Sequence, residues 1–389
     1  MVSPFCERAI EEAQRYGRAI LKFISANDTG ATGSHQSGYY LPKKIWQLYS
    51  PYPPTKGVNH DHFVTVDWWP WGRPTASCVK WYGKGTREEY RLTRFGRDFP
   101  YRTSDSVGDL LVLVPRSETS FSAFVLSEDE DFDEIQAQLG VEIVPFWGAY
   151  IAGAEVALTD SERIDHALRA FAASVSEFPP TVTIAKATQL ILAANVDGFD
   201  DLAPDVALLK LLETEYSLFK LVERQLCTPD IIRLFGSVDE FLATANSILQ
   251  RRKSRAGKSM ELHCQYVLSR AGVPFEAQPV IDGEPDIVIP NKAAYDDLSY
   301  PEESIFIVGV KRTCKDRWRP VTNEARRVAA KYILTIQSGI SLAQLRQMEA
   351  RGVTLIVPKA LHKEYPSEFR PKLLTLASFI ERVRSALPL

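Results

Sequence analysis

An aspartate and a lysine at the ends of two short apolar runs are the residues of this chain best placed to do chemistry. Asp286 sits in Glu284-Pro285-Asp286-Ile287-Val288-Ile289-Pro290, and Lys311 closes Ser304-Ile305-Phe306-Ile307-Val308-Gly309-Val310-Lys311. Both runs are rich in β-branched residues and bounded by Pro or acidic loop residues, so they read as two buried neighbouring strands. A lone buried charge is costly, so a carboxylate and an ammonium at adjacent strand ends serve either a structural ion pair or a metal-dependent site.

The second alternative is the arrangement of nucleases of the PD-(D/E)xK type, in which Asp holds Mg²⁺ and Lys faces the attacking water. Their second acid usually stands two residues before the lysine, where this chain has Gly309. A substitute follows in Pro320-Val321-Thr322-Asn323-Glu324-Ala325. This stretch is expected to open a helix with Val321, Ala325, Val328 and Tyr332 on its apolar face and Ala329, Ile333 and Ile336 one row over. Glu324 in its first turn reads either as a partner of the helix dipole or as the missing carboxylate moved from strand to helix.

The elements that would position these groups belong to an ordinary folded chain of 389 residues, 45% hydrophobic and 24% charged, long enough for two domains. No segment approaches the ~20 apolar residues of a membrane helix. Glu7, Glu11 and Glu12 near Met1 do not fit a signal peptide, so a cytoplasmic protein with no membrane partner is expected. Five scattered cysteines without CxxC spacing argue against a zinc ribbon or a disulfide framework.

The net charge of −3 conceals clustering. Lys84, Arg87, Arg91, Arg94, Arg97 and Arg102 form one basic group, and Arg251, Arg252, Lys253, Arg255 and Lys258 another. The acidic run Glu128-Asp129-Glu130-Asp131, with Asp133 and Glu134, offsets them. Two basic faces in different parts of the chain raise the possibility of two DNA contacts, against the plainer reading of solvated surface.

Along the chain, the spacing of Ile10, Ala13, Tyr16, Ile20, Leu21 and Ile24 predicts a helix over 5–24. Residues 25–38 form a polar, glycine-bearing loop containing His35, suited to groove contacts or simply to the surface. Short strands separated by turns follow from about 39 to 126, suggesting a small barrel. In one of them Arg87, Glu89, Arg91 and Thr93 share a face by the period of two. That row is either an exposed reading surface or a face laced with cross-strand ion pairs. His60-Asp61-His62 lacks a companion ligand set and reads as a turn before a strand.

A linker is expected near Pro179-Pro180, giving domains at 1–173 and 186–389 with 174–185 between them. Helices dominate from about 186 to 275, with the basic run 251–259 leading into a helix from Met260. Gly257-Lys258-Ser259 resembles the end of a phosphate-binding loop. The required earlier glycine is Arg252 and no strand precedes it, which excludes an NTPase of that kind. Glu261 reads as a supporting acid or a surface one. Another strand over 353–358 and a last helix complete an α/β domain with a mixed sheet.

Several stretches together resemble one family: residues 25–33, Phe235-Gly236-Ser237-Val238-Asp239-Glu240-Phe241, Arg251 through His263, and Thr313-Cys314-Lys315-Asp316-Arg317-Trp318-Arg319 with Asn323-Glu324-Ala325. With Pro285-Asp286 and Lys311 they make the chain similar to the EcoRII-like type II (type IIE) restriction endonucleases over nearly its whole length. The resemblance implies an N-terminal β-rich DNA-binding pseudobarrel and a C-terminal restriction-endonuclease-like domain that forms a homodimer. It implies Mg²⁺-dependent cutting of double-stranded DNA at CCWGG, with a second copy of the site acting as allosteric effector and the N-terminal domain covering the catalytic cleft until then. A cytosine methyltransferase protecting the same site is expected in the same system.

Carried over by residue, Asp286 and Glu324 become metal ligands, Lys311 the group that orients or deprotonates water, and Tyr295 a tyrosine near the site. Lys315, Asp316 and Arg317 become the base-reading set, with Arg255 and Lys258 as further DNA contacts. His35, Arg87, Glu89, Arg91 and Arg94 would meet the effector copy. Two other readings compete: a catalytically silent, sequence-specific DNA-binding regulator, and an RNA- or structure-specific nuclease supported only by Trp68, Trp69 and Trp81.

Overall fold

The computed structural model describes residues 1–30, 38–84, 87–154 and 161–387. His35 lies outside the described residues. The chain builds two sheets. The first part runs α1 (Pro4–Tyr16), β1 (Arg18–Phe23), α2 (Ala26–Thr29), β2 (Tyr39–Leu41), β3 (Asn59–Trp69), β4 (Arg73–Tyr82), β5 (Glu89–Thr93), β6 (Leu110–Pro115), β7 (Ser120–Leu126), α3 (Asp129–Leu139) and β8 (Gly148–Ile151). Its eight strands lie in the order β2-β5-β4-β3-β7-β6-β1-β8. The pairs are antiparallel except β3 with β7.

Both faces of this sheet are buried. In β6, Leu111 and Leu113 enter an aromatic core with Tyr39, Trp68, Trp81 and Tyr90. The alternate residues Leu110, Val112 and Val114 join a second core beneath α1 and α3. Strands covered on both sides read as continuous apolar runs, which is why β6 is legible in the sequence.

The helix expected over 5–24 is shorter. It ends at Gly17, whose φ of +67° is the left-handed cap conformation and whose N–H reaches the carbonyls of Ala13 and Gln14. Ile20 and Leu21 belong instead to β1, one on each face of the sheet.

The second part comprises α4 (Glu162–Ser174), α5 (Thr181–Asn195), α6 (Pro204–Ile232), α7 (Val238–Arg270), β9 (Glu276–Ala277), β10 (Ile287–Ile289), α8 (Lys292–Asp296), β11 (Phe306–Val310), β12 (Lys331–Leu334), α9 (Leu342–Ala350), β13 (Val353–Ile356) and α10 (Leu376–Ala386). The sheet order is β13-β12-β11-β10-β9. Pairing is parallel across β11, β12 and β13 and antiparallel across β9, β10 and β11, so the sheet is mixed as expected.

Helix α4, which the expected division at 173 assigns to the first domain, sends Ile164, Leu168 and Ala172 into the core of the second. Helix α7 is continuous for 33 residues, so the basic run 251–259 is helical throughout and does not precede a helix.

The helix expected from Pro320 also does not form. Pro320–Asn323 is a single 3-10 turn, Ala325 takes a φ of +49°, and the chain enters β12. The helical spacing of Val328, Tyr332 and Ile333 was coincidental. Between β11 and β13, the run Lys331–Leu334 satisfies its backbone groups on both sides, which outweighs local propensity.

Candidate active site

Antiparallel pairing of β10 with β11 brings Asp286 and Lys311 together. Asp286 Oδ2 accepts from Lys311 Nζ at 2.7 Å and from the Val310 N–H at 2.6 Å. The side chains are 12% and 27% exposed, so both charges are partly desolvated yet accessible. Lys311 is anchored through its own N–H to the Leu334 carbonyl on β12.

Gly309, at the usual place of the second acid, is packed against the 3-10 turn. A Cβ there would lie 2.8 Å from Val321 Cγ2. Glu324 instead arrives from the turn that follows, next to Gly283. Gly283 has a φ of +105°, and a Cβ on it would stand 2.9 Å from Glu324 Cγ. A glycine is needed there for both reasons. Burial raises the Glu324 carboxyl above the ordinary glutamate value; Lys311 opposes this and Asp286 adds to it. Two carboxylates and one ammonium therefore share one field.

Tyr295 does not point at this pair. Its hydroxyl donates to Asp282 Oδ1. Asp282 in turn accepts the Ala325 N–H on its carbonyl at 2.7 Å and the Arg326 N–H on Oδ2 at 2.6 Å. Tyr295 and Asp282 thus hold the turn that carries Glu324. Against its partial burial, Asp282 is kept below the usual carboxylate range by these donors. Burial and the neighbouring Asp282 push the Tyr295 hydroxyl up to about 12.

Glu261, on α7, accepts from Lys258 Nζ at 3.0 Å and Gln278 Nε2 at 3.1 Å. The Gln278 N–H reaches the Asp286 carbonyl at 3.0 Å, so Glu261 braces the aspartate from behind. Among the described residues no cluster of three or more His, Cys, Asp or Glu is arranged for a metal. Asp286 and Glu324 nevertheless form a hard-oxygen pair of the kind Mg²⁺ uses, since it retains several waters and takes one or two carboxylates.

The loop after Lys311 is covered by the first part of the chain. Lys315 Nζ pairs with Asp109, and Arg317 pairs with Asp133. The Asp316 and Arg317 N–H groups donate to Asp129 Oδ2 at 2.7 and 3.2 Å. The Asp316 carboxylate faces Arg319 at 3.0 Å. Arg255 is buried, in contact with Glu142 and Glu215, instead of lying on a free basic face.

In the first sheet, the row on β5, read either as an exposed reading surface or as an ion-paired face, is broken. Arg91 is buried, donating to Glu89 at 2.9 Å and to the Gly38 carbonyl at 2.8 Å, because β5 lies between β2 and β4. Arg87 is exposed beside Tyr82, and Arg94, with φ +64°, lies over exposed Phe63. His60 and His62 lie within β3; His60 stacks on Tyr52 and His62 bonds the Glu118 carbonyl at 2.7 Å.

Sequence reasoning missed Asp282, Gly283 and Gln278, whose roles depend on contacts across the fold. It did see the acidic run at 128–134, but as a charge offset and not as the partner of Arg317.

An aspartate and a lysine on adjacent strands of a mixed sheet, joined by a carboxylate from the next turn, define a nuclease of the restriction-endonuclease-like class. The family model described as "Restriction endonuclease EcoRII, N-terminal" matches residues 15–154, and "EcoRII C terminal" matches 219–380. The "Type II restriction enzyme EcoRII" of Escherichia coli is 36% identical over 402 residues, covering 98% of this chain and 97% of that protein. The chain belongs to the EcoRII family of type II restriction endonucleases. The "Type II restriction enzyme SsoII" of Shigella sonnei is 24% identical over 152 residues, 36% of this chain and 48% of that one. Among solved structures, "Metal-depleted Ecl18kI in complex with uncleaved, modified DNA" aligns at 18% identity and TM-score 0.46, over 56% of this chain and 83% of that one. "Restriction endonuclease PspGI-substrate DNA complex" aligns at 20% and 0.46, over 54% and 93%.

Proposed function

We propose that this restriction endonuclease is Mg²⁺-dependent, hydrolyses double-stranded DNA at a CCWGG-like site, and is activated by a second copy of that site bound to its N-terminal domain. The observation that carries the chemical part is the pairing of Asp286 with Lys311 at 2.7 Å beside the Glu324 carboxyl.

Asp286 and Glu324 would hold the cation. A bound Mg²⁺ supplies relief of the negative charge that develops on the phosphate. Lys311 orients the attacking water and keeps a positive charge toward the phosphate oxygens. Tyr295 and Asp282 fix the Glu324 turn. Lys315 and Arg317 address guanine O6 and N7, and Asp316 accepts from cytosine N4, which suits a CC:GG half-site.

The contacts of Asp109, Asp129 and Asp133 with this reading loop support an inhibited state in which the N-terminal domain denies the loop to DNA. Effector DNA at Arg87, Glu89, Arg91, Arg94 and His35 would favour release. Arg91 must leave Glu89 and the Gly38 carbonyl to take part. The homodimer would use the tip between α6 and α7, where Ile232 and Leu234 are 78% and 96% exposed and Val238 and Phe241 are also uncovered. No helix among the described residues is long and apolar enough to cross a membrane. The system would include a cytosine methyltransferase acting on the same site.

The test is digestion of a multi-site CCWGG plasmid with Mg²⁺, with and without a short cognate duplex, beside Lys311→Ala. Cutting before the outer cytosine, stimulated by the duplex and absent in the variant, is expected. Binding without cutting, equal in both proteins, would leave a DNA-binding regulator.

A further inference from the structure

One carboxylate of the N-terminal domain is gripped by two arginines of the catalytic domain. Glu142 gives Oε1 to Arg255 and Oε2 to Arg312 Nη1 at 3.0 Å. Each oxygen takes one guanidinium, as the two non-bridging oxygens of a phosphodiester would. Arg312 directly follows Lys311, so the grip adjoins the proposed chemistry. Behind it, Glu215 on α6 accepts from Arg255 Nη1 at 3.2 Å, and its other oxygen lies 2.6 Å from His263 Nε2.

This architecture assigns different fates to the two arginines when the domains part. Arg255 keeps Glu215, a residue of its own domain, and so stays aligned. Arg312 loses Glu142, the one carboxylate paired with it among the described residues. Two guanidiniums would then face a single carboxylate, and a partly dry surplus cation demands an anion. Burial pulls Arg255 down to about 9 and Arg312 to about 10, which leaves both charged at neutral pH. Lys253 with Glu134, Arg317 with Asp133 and Lys315 with Asp109 repeat the relation along the same junction. A solvent-open cleft lined by Glu142, Arg252, Lys253 and Arg255 lies beside it.

We propose that Arg312 and Arg255 form a phosphate-binding pair for the backbone of the substrate DNA, and that Glu142 occupies the place of that phosphate while the domains are closed. The inference rests on the inhibited nuclease reading above and adds to it a ligand position and the acid that mimics it.

The test compares the full chain as wild type, Glu142→Gln, Glu142→Gln/Arg312→Ala and Glu142→Gln/Arg312→Lys. Affinity for a labelled cognate duplex is measured without Mg²⁺ from 50 to 200 mM salt, with thermal melting of each protein alongside. Because the last three share one N-terminal domain, any difference among them belongs to position 312. Glu142→Gln is expected to bind about 10-fold more tightly than wild type at 50 mM. Adding Arg312→Ala should remove that gain and make the slope of log Kd against log salt shallower by about one, while Lys restores the slope. A merely structural arginine would lower the melting temperature and leave the slope unchanged, which overturns the proposal, as does an affinity of Glu142→Gln equal to wild type. Cleavage of the same duplex with Mg²⁺ and effector is read separately. Absence of cutting in wild type refutes the enzyme reading, whereas the salt slopes decide the phosphate pair in either case.

Discussion

Gly309 and Val321 are packed so closely that a β-carbon at 309 would lie 2.8 Å from Val321 Cγ2. If Glu324 serves as the second acid, as proposed, its relocation from position 309 is built into the core and is not a neutral exchange of positions. Gly309→Ala should cost about 1–3 kcal/mol of stability through overpacking. Restoring the usual motif as Gly309→Glu in a Glu324→Gln background should not recover cleavage. Thermal melts and single-turnover cleavage check the two statements, and recovery of activity by the double variant would show that Val321 yields.

Lys311→Ala should lower cleavage by at least about 10³-fold, in the upper range for loss of a positioned proton-transfer or charge-stabilising group. DNA affinity without Mg²⁺ should change by less than about 10-fold, because Lys311 faces Asp286 and not the reading loop. Single-turnover rates and gel-shift affinities separate these outcomes.

Tyr295→Phe and Asp282→Asn should act alike. Each removes support from the turn carrying Glu324 without touching the Asp286–Lys311 pair. The Mg²⁺ concentration for half-maximal cleavage should rise by about 10- to 100-fold, the usual scale for partners that orient a ligand. Cleavage at saturating Mg²⁺ should fall much less. A loss confined to the maximal rate would instead place the Tyr295 hydroxyl against the substrate.

The contact between Asp109 and Lys315 makes domain closure sensitive to pH. Burial raises the Asp109 carboxyl above the ordinary aspartate value; Lys315 opposes this and Asp105 adds to it. Across the window between the ordinary and raised values the closed state keeps a proton that an open, hydrated Asp109 has lost, so this group favours closure less as pH rises. The stability contribution has the same sign. Between the ordinary and raised values the native state keeps a proton that the unfolded state has lost, so this group favours folding less as pH rises across that window. Interdomain energy transfer between dyes on the two domains should report opening as pH rises across this window. Asp109→Asn, which cannot ionise, should show a flatter profile.

The strands around Asp286 and Lys311 and β3 to β7 of the first sheet were legible because each needs only a local pattern, whereas β1, read as part of a helix, was not. A continuous β-branched run between breakers is buried wherever it is placed. The proximity of Asp286 and Lys311 was legible too, since a charge at the end of such a run needs a reason. The helix expected over 320–336 was not correctable from sequence. Val328, Tyr332 and Ile333 satisfy a helical period as well as a strand, and only the gap between β11 and β13 decides. Likewise, the sign of Arg91, Arg255 or Glu142 is written in the chain, but its exposure depends on which surface meets it. The acidic residues at 109–142 and the cations at 253–317 are distant in sequence and become partners only when the two domains close. Local propensity and composition settle the elements, whereas long-range packing settles which charges are free to work.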